Sequence, residues 1–175
     1  YRESIDRDLT LARKIHDTLI PENVDSEKYA LALHYMPMIG LGGDFAYVFH
    51  DPNGQLYITI IDVTGHGIAA ALLVNRICSE VAKYIRDGFD PREILFELNK
   101  FFCDSFCNTG MFATMVVTKI DLNKKEMIYA GSAHPALFHY ANSSLKLNFI
   151  ESQNTIIGFD YTTQDKFVQD SVKLE

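Results

Sequence analysis

A hairpin signal in the first third of the chain is the strongest constraint on the fold. Two strand-like segments, DFAYVFH (44–50) and QLYITIIDV (55–63), flank Asp51-Pro52-Asn53-Gly54, which is typical of a tight turn between antiparallel strands. Asp44 begins the first strand and Asp62 lies near the end of the second, so pairing brings both carboxylates to one edge of the sheet. Like charges repel there unless a cation lies between them. The hairpin therefore indicates either a cation site or two aspartates that cap turns.

A glycine-rich turn follows the second strand. Gly65 and Gly67 allow a tight turn and a close approach of ligand to backbone, and the predicted helix beyond them favours an anion at its start. Carboxylate oxygens select hard ions such as Mg²⁺ or Mn²⁺, and such an ion beside an anion site suits phosphoryl chemistry. We interpret His66 and His134 mainly as residues that shape their loops. A metal-ligand or base role for His66, and a site-lining role for His134, stay as alternatives.

The N-terminal segment, residues 1–21, is predicted as a separate helical unit that precedes a domain over 22–175. Ile5, Leu9, Ala12 and Leu19 recur at three- and four-residue steps, His16 lies in the same seam, and Pro21 stops the helix. Two interpretations remain open. The helix packs on its own domain, or it is the end of a signalling coiled coil that pairs with a second copy to form a homodimer.

The rest of the pattern favours an α+β fold. We expect a strand over 29–37, a long helix over 68–85, and a second helix in which Asp90 is the N-cap, Pro91 lies in the first turn and Glu93 completes a capping box. An antiparallel meander of strands is predicted from residue 111 to residue 150. Strands on both sides of a helical pair indicate layers rather than alternating βαβ units.

Composition excludes several classes of function. The net charge is −7 and the pI is about 5.3, which argues against a nucleic-acid partner. No apolar run approaches the ~18 residues that span a membrane, so we expect no membrane contact by this segment. Cys103 and Cys107 lack the further cysteines or histidines of a zinc site. Reduced, buried thiols and a cytoplasmic location are the expectation.

Four motifs in fixed order resemble a known family. GGDF (42–45), IIDVTGHGIAAAL (60–72), FAT (112–114) and GSAHPALF (131–138) are similar to segments of bacterial metal-dependent serine/threonine protein phosphatases of the type 2C-like (PPM) family, in particular its stage II sporulation protein E (SpoIIE)-like branch. The preceding LARKIHDTLIP (11–21) resembles the helix that leads into that domain.

The resemblance implies a layered α-β-β-α sandwich of two antiparallel sheets flanked by helices. It also implies two Mn²⁺ or Mg²⁺ ions and a bridging water that attacks phosphoserine or phosphothreonine. Asp62 would bind both ions, Asp44 one, and the Val63 carbonyl would supply another oxygen. Gly43, Gly65, His66, Gly67 and His134 match positions that shape the site. The implied partner is a phosphorylated regulatory protein such as an anti-sigma-factor antagonist.

Two departures from the family pattern qualify these expectations. Ala46 and Tyr47 stand where the family has Tyr-Asp, and no later Thr-Asp-Gly strand or Asp-Asp pair is found. We therefore expect a domain that lacks its C-terminal strands and is inactive alone, because Asp160, Asp165 and Asp170 do not match those motifs. Two alternatives stay open. One is a catalytically inactive domain that binds a sigma-factor regulator, and the other is a hydrolase of small phosphate esters.

Overall fold

The computed structural model describes residues 2–37, 41–106 and 108–175, with the backbone alone for residues 2–6. The helices are α1 (Arg2–Asp17), α2 (Ile68–Arg86) and α3 (Pro91–Phe106). The strands are β1 (Val24–Asp25), β2 (Ala30–Leu31), β3 (Asp44–His50), β4 (Gln55–Val63), β5 (Ala113–Asp121), β6 (Glu126–Ser132), β7 (Leu137–Ala141), β8 (Lys146–Ile150) and β9 (Asp170–Lys173). None of the helices in the described part of the chain is long and apolar enough to cross a membrane.

A five-stranded antiparallel sheet in the order β3-β4-β5-β6-β9 is the centre of the fold. The predicted β3–β4 hairpin is confirmed, with Asp44 opposite Asp62 and His50 opposite Leu56. In its turn, the Asp51 carboxylate accepts hydrogen bonds from the backbone N–H groups of Asn53 and Gln55, at 3.0 and 2.7 Å. Gly54 has φ +89°, a conformation that glycine adopts without steric cost. The turn therefore sets the register that aligns the two aspartates.

One face of this sheet carries the core, because α2 and α3 pack there. Alternate residues of β4 point to the helices, so Tyr57 and Ile61 are 3% and 1% exposed. Full burial of an aliphatic or aromatic side chain of this size stabilises a fold by roughly 2 kcal/mol. The helical partners in the core include Val74, Ile77, Val81, Ile94, Leu98 and Phe102. This packing holds the start of α2 at the edge of the sheet where β4 ends.

The opposite face of the sheet lies beside smaller layers of structure. The β1–β2 pair borders a cavity of about 270 Å³ that Leu56, Ile58 and Ile120 also line. β7 and β8 form a second two-stranded antiparallel sheet. The predicted α+β fold is confirmed, and the arrangement is consistent with a layered sandwich.

Two strand predictions were wrong. Only Ala30 and Leu31 of the expected strand 29–37 are in a strand, because β1 offers just two residues for pairing and residues 32–37 leave the ladder. The expected meander also breaks after β6. The chain leaves the main sheet at His134-Pro135, and β9 rather than β7 pairs with β6. Alternating hydrophobicity predicts that a segment is extended but does not identify its partner strand.

The predicted start of α3 is confirmed in part. The Glu93 carboxylate accepts a hydrogen bond from the Asp90 backbone N–H at 2.8 Å, as a capping box requires. The Asp90 carboxylate instead accepts from the Lys119 ammonium at 2.7 Å. This contact ties the start of α3 to β5 in the main sheet.

α1 ends at Asp17, three residues before the predicted end, and a turn leads to Pro21. Some of the described seam residues face the domain. His16 is buried and Ala12 is half-buried, whereas Leu9 is 37% exposed. The side chain of Ile5 lies outside the described residues. Cys103 and Cys78 are buried, as expected for thiols in a core, and Cys107 also lies outside the described residues.

Candidate metal centre

The two aspartates meet where β3 begins and β4 ends. Asp44 and Asp62 are directly opposite each other in the antiparallel register, and both are exposed to solvent at the edge of the fold. Partial burial raises the pKa of the Asp44 carboxyl, and the neighbouring Asp62 carboxylate raises it further. Two carboxylates that oppose each other's ionisation are a site to which a divalent cation binds favourably.

Gly43 brings a backbone carbonyl to the same place. A Cβ on residue 43 would lie 2.6 Å from the Val63 carbonyl oxygen and 3.2 Å from that of Gly65. The Gly43 carbonyl accepts a hydrogen bond from the Val63 N–H at 3.0 Å. Only glycine permits this approach, and the Val63 oxygen consequently lies beside the residue that precedes Asp44. The structure thus collects two carboxylates and one carbonyl oxygen at one edge.

The turn between β4 and α2 is fixed by a contact with the start of β5. The Thr64 N–H and its hydroxyl both donate to the Phe112 carbonyl, at 2.9 and 3.0 Å, and the Phe112 N–H donates back to the hydroxyl at 2.9 Å. Gly65 and Gly67 have φ +93° and +77°. Gly67 is the N-cap of α2 and makes no side-chain capping bond, and the first turn holds no acidic residue. The N–H groups of that turn are therefore available to an anion.

The structure separates the two candidate histidines. His66 lies between the two glycines, and its side chain is exposed. His134 is half-buried, and its Nδ1 is 2.8 Å from the Thr114 hydroxyl on β5. Thr114 is in turn the register partner of Asp62. Burial lowers the pKa of His134, and the nearby Asp62 carboxylate opposes that shift. His134 is therefore beside the aspartate pair, as a site-shaping residue would be.

Acids in the last part of the chain do not join this pair. The backbone carbonyl of Asp160 accepts from the Asn99 side chain on α3, and Asp170 begins β9 opposite Tyr129. Among the side chains that the structure describes, those of residues 7–37, 41–106 and 108–175, no group of three or more His, Cys, Asp or Glu is arranged to hold a metal ion. The described donors are hard oxygen ligands, which fit Mg²⁺ or Mn²⁺.

Sequence reasoning missed three contacts around the site, namely Thr64 with Phe112, Thr114 with His134, and Tyr35 with the turn before Asp44. The first two join residues 48 and 20 positions apart, and the third joins residues seven positions apart outside any regular element, so no periodic pattern reveals them. The Tyr35 hydroxyl lies 2.7 Å from the position that a Cβ on Gly42 would occupy. The only local signal was the pair of glycines at 42 and 43, which indicates a close approach without naming its partner.

Comparison with known proteins identifies the family of the domain. The model of the stage II sporulation protein E (SpoIIE) family matches residues 52–175. Phosphoserine phosphatase RsbU of Bacillus subtilis (strain 168) is 25% identical over 173 residues, which cover 96% of this chain and 51% of RsbU. The chain thus spans about half the length of this curated relative.

Solved structures share the fold. The SiaA-PP2C domain of Pseudomonas aeruginosa superposes with a TM-score of 0.78 at 18% identity, over 99% of this chain and 69% of that domain. The structure of RsbX in complex with magnesium superposes with a TM-score of 0.61 at 14% identity, over 88% of this chain and 66% of RsbX. At these identities the likeness shows a common fold.

Proposed function

The chain belongs to the stage II sporulation protein E (SpoIIE) family, and on that premise we propose that it is the phosphatase domain of a bacterial signalling protein. It removes phosphate from phosphoserine or phosphothreonine in a protein, with Mn²⁺ or Mg²⁺ as cofactor. One observation carries this proposal: Asp44 and Asp62 pair at the sheet edge, beside the Val63 carbonyl and the start of α2.

The oxygens of Asp44, Asp62 and Val63 are the groups that would hold the ion. A divalent ion, when bound, neutralises phosphate charge and lowers the pKa of water, which makes hydrolysis possible near neutral pH. The structure of RsbX with magnesium supports a divalent ion in a protein of this fold. The proposal covers both Mn²⁺ and Mg²⁺.

The protein's own residues supply the other parts of the site. Gly65 and Gly67 shape the turn that aims the N–H groups of α2 towards an anion, and Thr64 holds this turn against β5. His134, held by Thr114, lines the edge next to Asp62. We assign the phosphate of the substrate to the space between the aspartate pair and the start of α2.

We further propose that the substrate is a phosphorylated regulatory protein, such as an anti-sigma-factor antagonist. The naming of RsbU as a phosphoserine phosphatase supports a phosphoserine substrate. A homodimer through α1 and a cytoplasmic location both stay predictions.

A second candidate is a catalytically inactive domain that binds a regulatory protein. The observation in its favour is that, among the described residues, only Asp44 and Asp62 bring acidic side chains together at this edge of the sheet. Titration with Mn²⁺ and assay of phosphoserine peptides, carried out on a chain as long as a relative such as RsbU, separate the two candidates. Turnover that is lost with EDTA and in Asp62→Asn, and kept in the exposed control Glu151→Gln, supports the phosphatase. Binding of a regulatory protein by a chain as long as RsbU, without turnover, supports the inactive domain.

A further inference from the structure

His16 is a buried histidine that the proposed chemistry does not use. It lies on α1, is 5% exposed, and both ring nitrogens are buried without a hydrogen-bond partner within the described residues. A lone histidine in such a place is stable only as the neutral imidazole, because burial of the charged form without a partner is costly. Its surroundings therefore decide what its protonation would do.

α1 lies beside the two segments that build the candidate metal centre. A groove of about 230 Å³ beside His16 is lined by Leu41, which lies in the turn before Asp44, and by Ile68, Ala71 and Leu72 at the start of α2. Leu41 is itself 6% exposed, so this turn is part of the packed structure. The helix that precedes the domain thus lines one groove together with both sides of the site.

Tyr35 connects His16 to the aspartate. The His16 and Tyr35 rings have centroids 6.0 Å apart and planes tilted by 32°. The Tyr35 hydroxyl lies 2.7 Å from the position that a Cβ on Gly42 would occupy, two residues before Asp44. Burial raises the pKa of Tyr35, and the negative charge of Asp44 raises it further. A displacement of His16 would therefore move the ring that supports the turn carrying Asp44.

We propose that neutral His16 is a positioning residue that docks α1 against Tyr35 and the turn at Leu41-Gly42, and so holds Asp44 in place. Protonation of His16 loosens both α1 and this turn. The function of Asp44 as a metal ligand rests on the proposed function, whereas the coupling between α1 and the turn does not.

The charges near His16 favour this dependence on pH. Burial lowers the pKa of His16, and Asp17 on the same helix opposes the shift only in part. Tyr35 is the titratable group that faces it from the segment before Gly42, and the groove residues contributed by the turn and by α2 are uncharged. Docking is therefore complete above the ordinary histidine pKa of ~6.5 and weakens as the pH falls below it. Each unit of lowered pKa corresponds to about a tenfold change in the docking equilibrium.

Hydrogen exchange of the whole 175-residue protein without metal tests this proposal. Amide protection is compared at about pH 7.5 and about pH 5.5, after correction for the intrinsic exchange rate, to bracket the histidine pKa. We expect protection of α1 and of residues 41–45 to fall together in the unmodified protein. His16→Gln, which cannot become charged, should remove this dependence. His34→Gln alters an exposed histidine next to Tyr35 and should behave like the unmodified protein.

Equal pH dependence in the unmodified protein and in His16→Gln would overturn the proposal. So would loss of protection in α1 alone with residues 41–45 unchanged. If His16→Gln does not fold, the NMR titration of the His16 ring in the unmodified protein replaces it. Its midpoint must then coincide with the loss of protection in both segments, and a midpoint at or above the ordinary value contradicts the proposal. Because neither measurement uses metal or substrate, failure of the phosphatase proposal appears separately, as absent turnover in a chain as long as a relative such as RsbU.

Discussion

Asp44 carries a charge that the metal-free fold would be more stable without. Partial burial and the Asp62 carboxylate raise the pKa of Asp44 in the folded protein. The protonated carboxyl therefore stabilises the fold at pH values below the pKa of the unfolded chain, and this contribution is lost as the pH rises through the pKa of the folded protein. We therefore predict that Asp44→Asn stabilises the metal-free domain near pH 7 by less than about 1 kcal/mol, because an exposed pair is screened by solvent. The same variant should lose Mn²⁺ binding, which calorimetric titration measures beside urea unfolding.

The control for this prediction is Glu151→Gln, which removes the charge of an exposed carboxylate that follows β8. It should leave Mn²⁺ binding intact. If Asp44→Asn lowers the free energy of unfolding in the absence of metal, the carboxylate makes a structural contact and the interpretation of the pair as a cation site is contradicted.

Gly43 is the second residue on which the site depends. A methyl group at this position would lie 2.6 Å from the Val63 carbonyl oxygen, which belongs to a rigid paired strand. We predict that Gly43→Ala lowers the free energy of unfolding by about 1–3 kcal/mol, as overpacking does, and weakens Mn²⁺ binding by displacing Val63.

Gly42→Ala is a matched control for that substitution. Its methyl group would meet the end of the Tyr35 side chain at 2.7 Å rather than backbone, so the contact can relax. Urea unfolding of both variants should show the smaller loss for Gly42→Ala. Equal losses would mean that the turn moves as easily as a side chain and that Val63 is not held rigidly.

The aspartate pair could be predicted from the sequence, and the residues around it could not. The tight turn at 51–54 sets the hairpin register, so the alignment of Asp44 with Asp62 follows from local rules. The partners of Thr64 and His134 are brought to them by tertiary packing. Their sequence neighbours hold no signal of these contacts, because the contacts form between separate elements.

At the scale of the elements, the start of α3 is a place where sequence and structure agree on a testable contact. Glu93 accepts from the Asp90 N–H at 2.8 Å, and without it that donor would depend on water. We predict that Glu93→Ala lowers the free energy of unfolding by about 1 kcal/mol, the usual size of a lost cap. Lys100→Ala, on the exposed side of the same helix, should change unfolding much less. Urea denaturation distinguishes the two, and equal effects would refute the capping interpretation.

α1 presents two different faces, and this changes how the dimer prediction should be tested. His16 and Ala12 face the domain, Leu11 is 58% exposed on another side, and Ile15 is 53% exposed at the border of the groove beside His16. Ala12 and His16 of the seam predicted from the sequence thus pack on the same chain, whereas Leu9 of that seam is 37% exposed. A second copy would have to pair through Leu11 and Ile15, which lie one turn apart.

We predict that the unmodified protein is a dimer and that the double variant Leu11→Lys, Ile15→Lys is a monomer in light scattering. Two charges in an apolar interface would repel their copies across it. Met36→Lys changes an exposed apolar residue outside α1 and should remain dimeric. A monomer in the unmodified protein would contradict pairing through this helix.

The strands show which elements a sequence predicts well. β4 matches the predicted range 55–63, because it has a paired strand on both sides and strong alternation. The segment 32–37 alternates equally well and yet leaves its ladder after Leu31. Pairing within a sheet is decided by distant strands, so alternation alone overestimates strand length.

At the scale of the whole molecule, the sheet order explains why the site lies where it does. The β3–β4 hairpin, the start of β5 and the loop after β6 all reach the same edge of the main sheet. α2 starts there because it follows β4 directly after the Thr64 turn. The candidate site is therefore built from four consecutive strands and one helix start, which position Asp44, Asp62, Thr114 and His134 relative to one another.

The number of oxygen ligands sets the expected metal content of residues 1–175. Asp44, Asp62 and the Val63 carbonyl offer three protein groups, and no larger acidic cluster forms among the described residues. Mg²⁺ takes six oxygens and keeps several waters, so these groups suffice for one weakly held ion. Two adjacent divalent ions repel each other and need more negative charge than two carboxylates supply. We therefore predict at most one bound Mn²⁺ per chain in calorimetric titration and little turnover of phosphoserine peptides. Asp62→Asn should abolish the binding, and Glu151→Gln should not. Two tight sites with rapid turnover would contradict the prediction and would require further acids, such as Asp160 or Asp165, to move to the sheet edge.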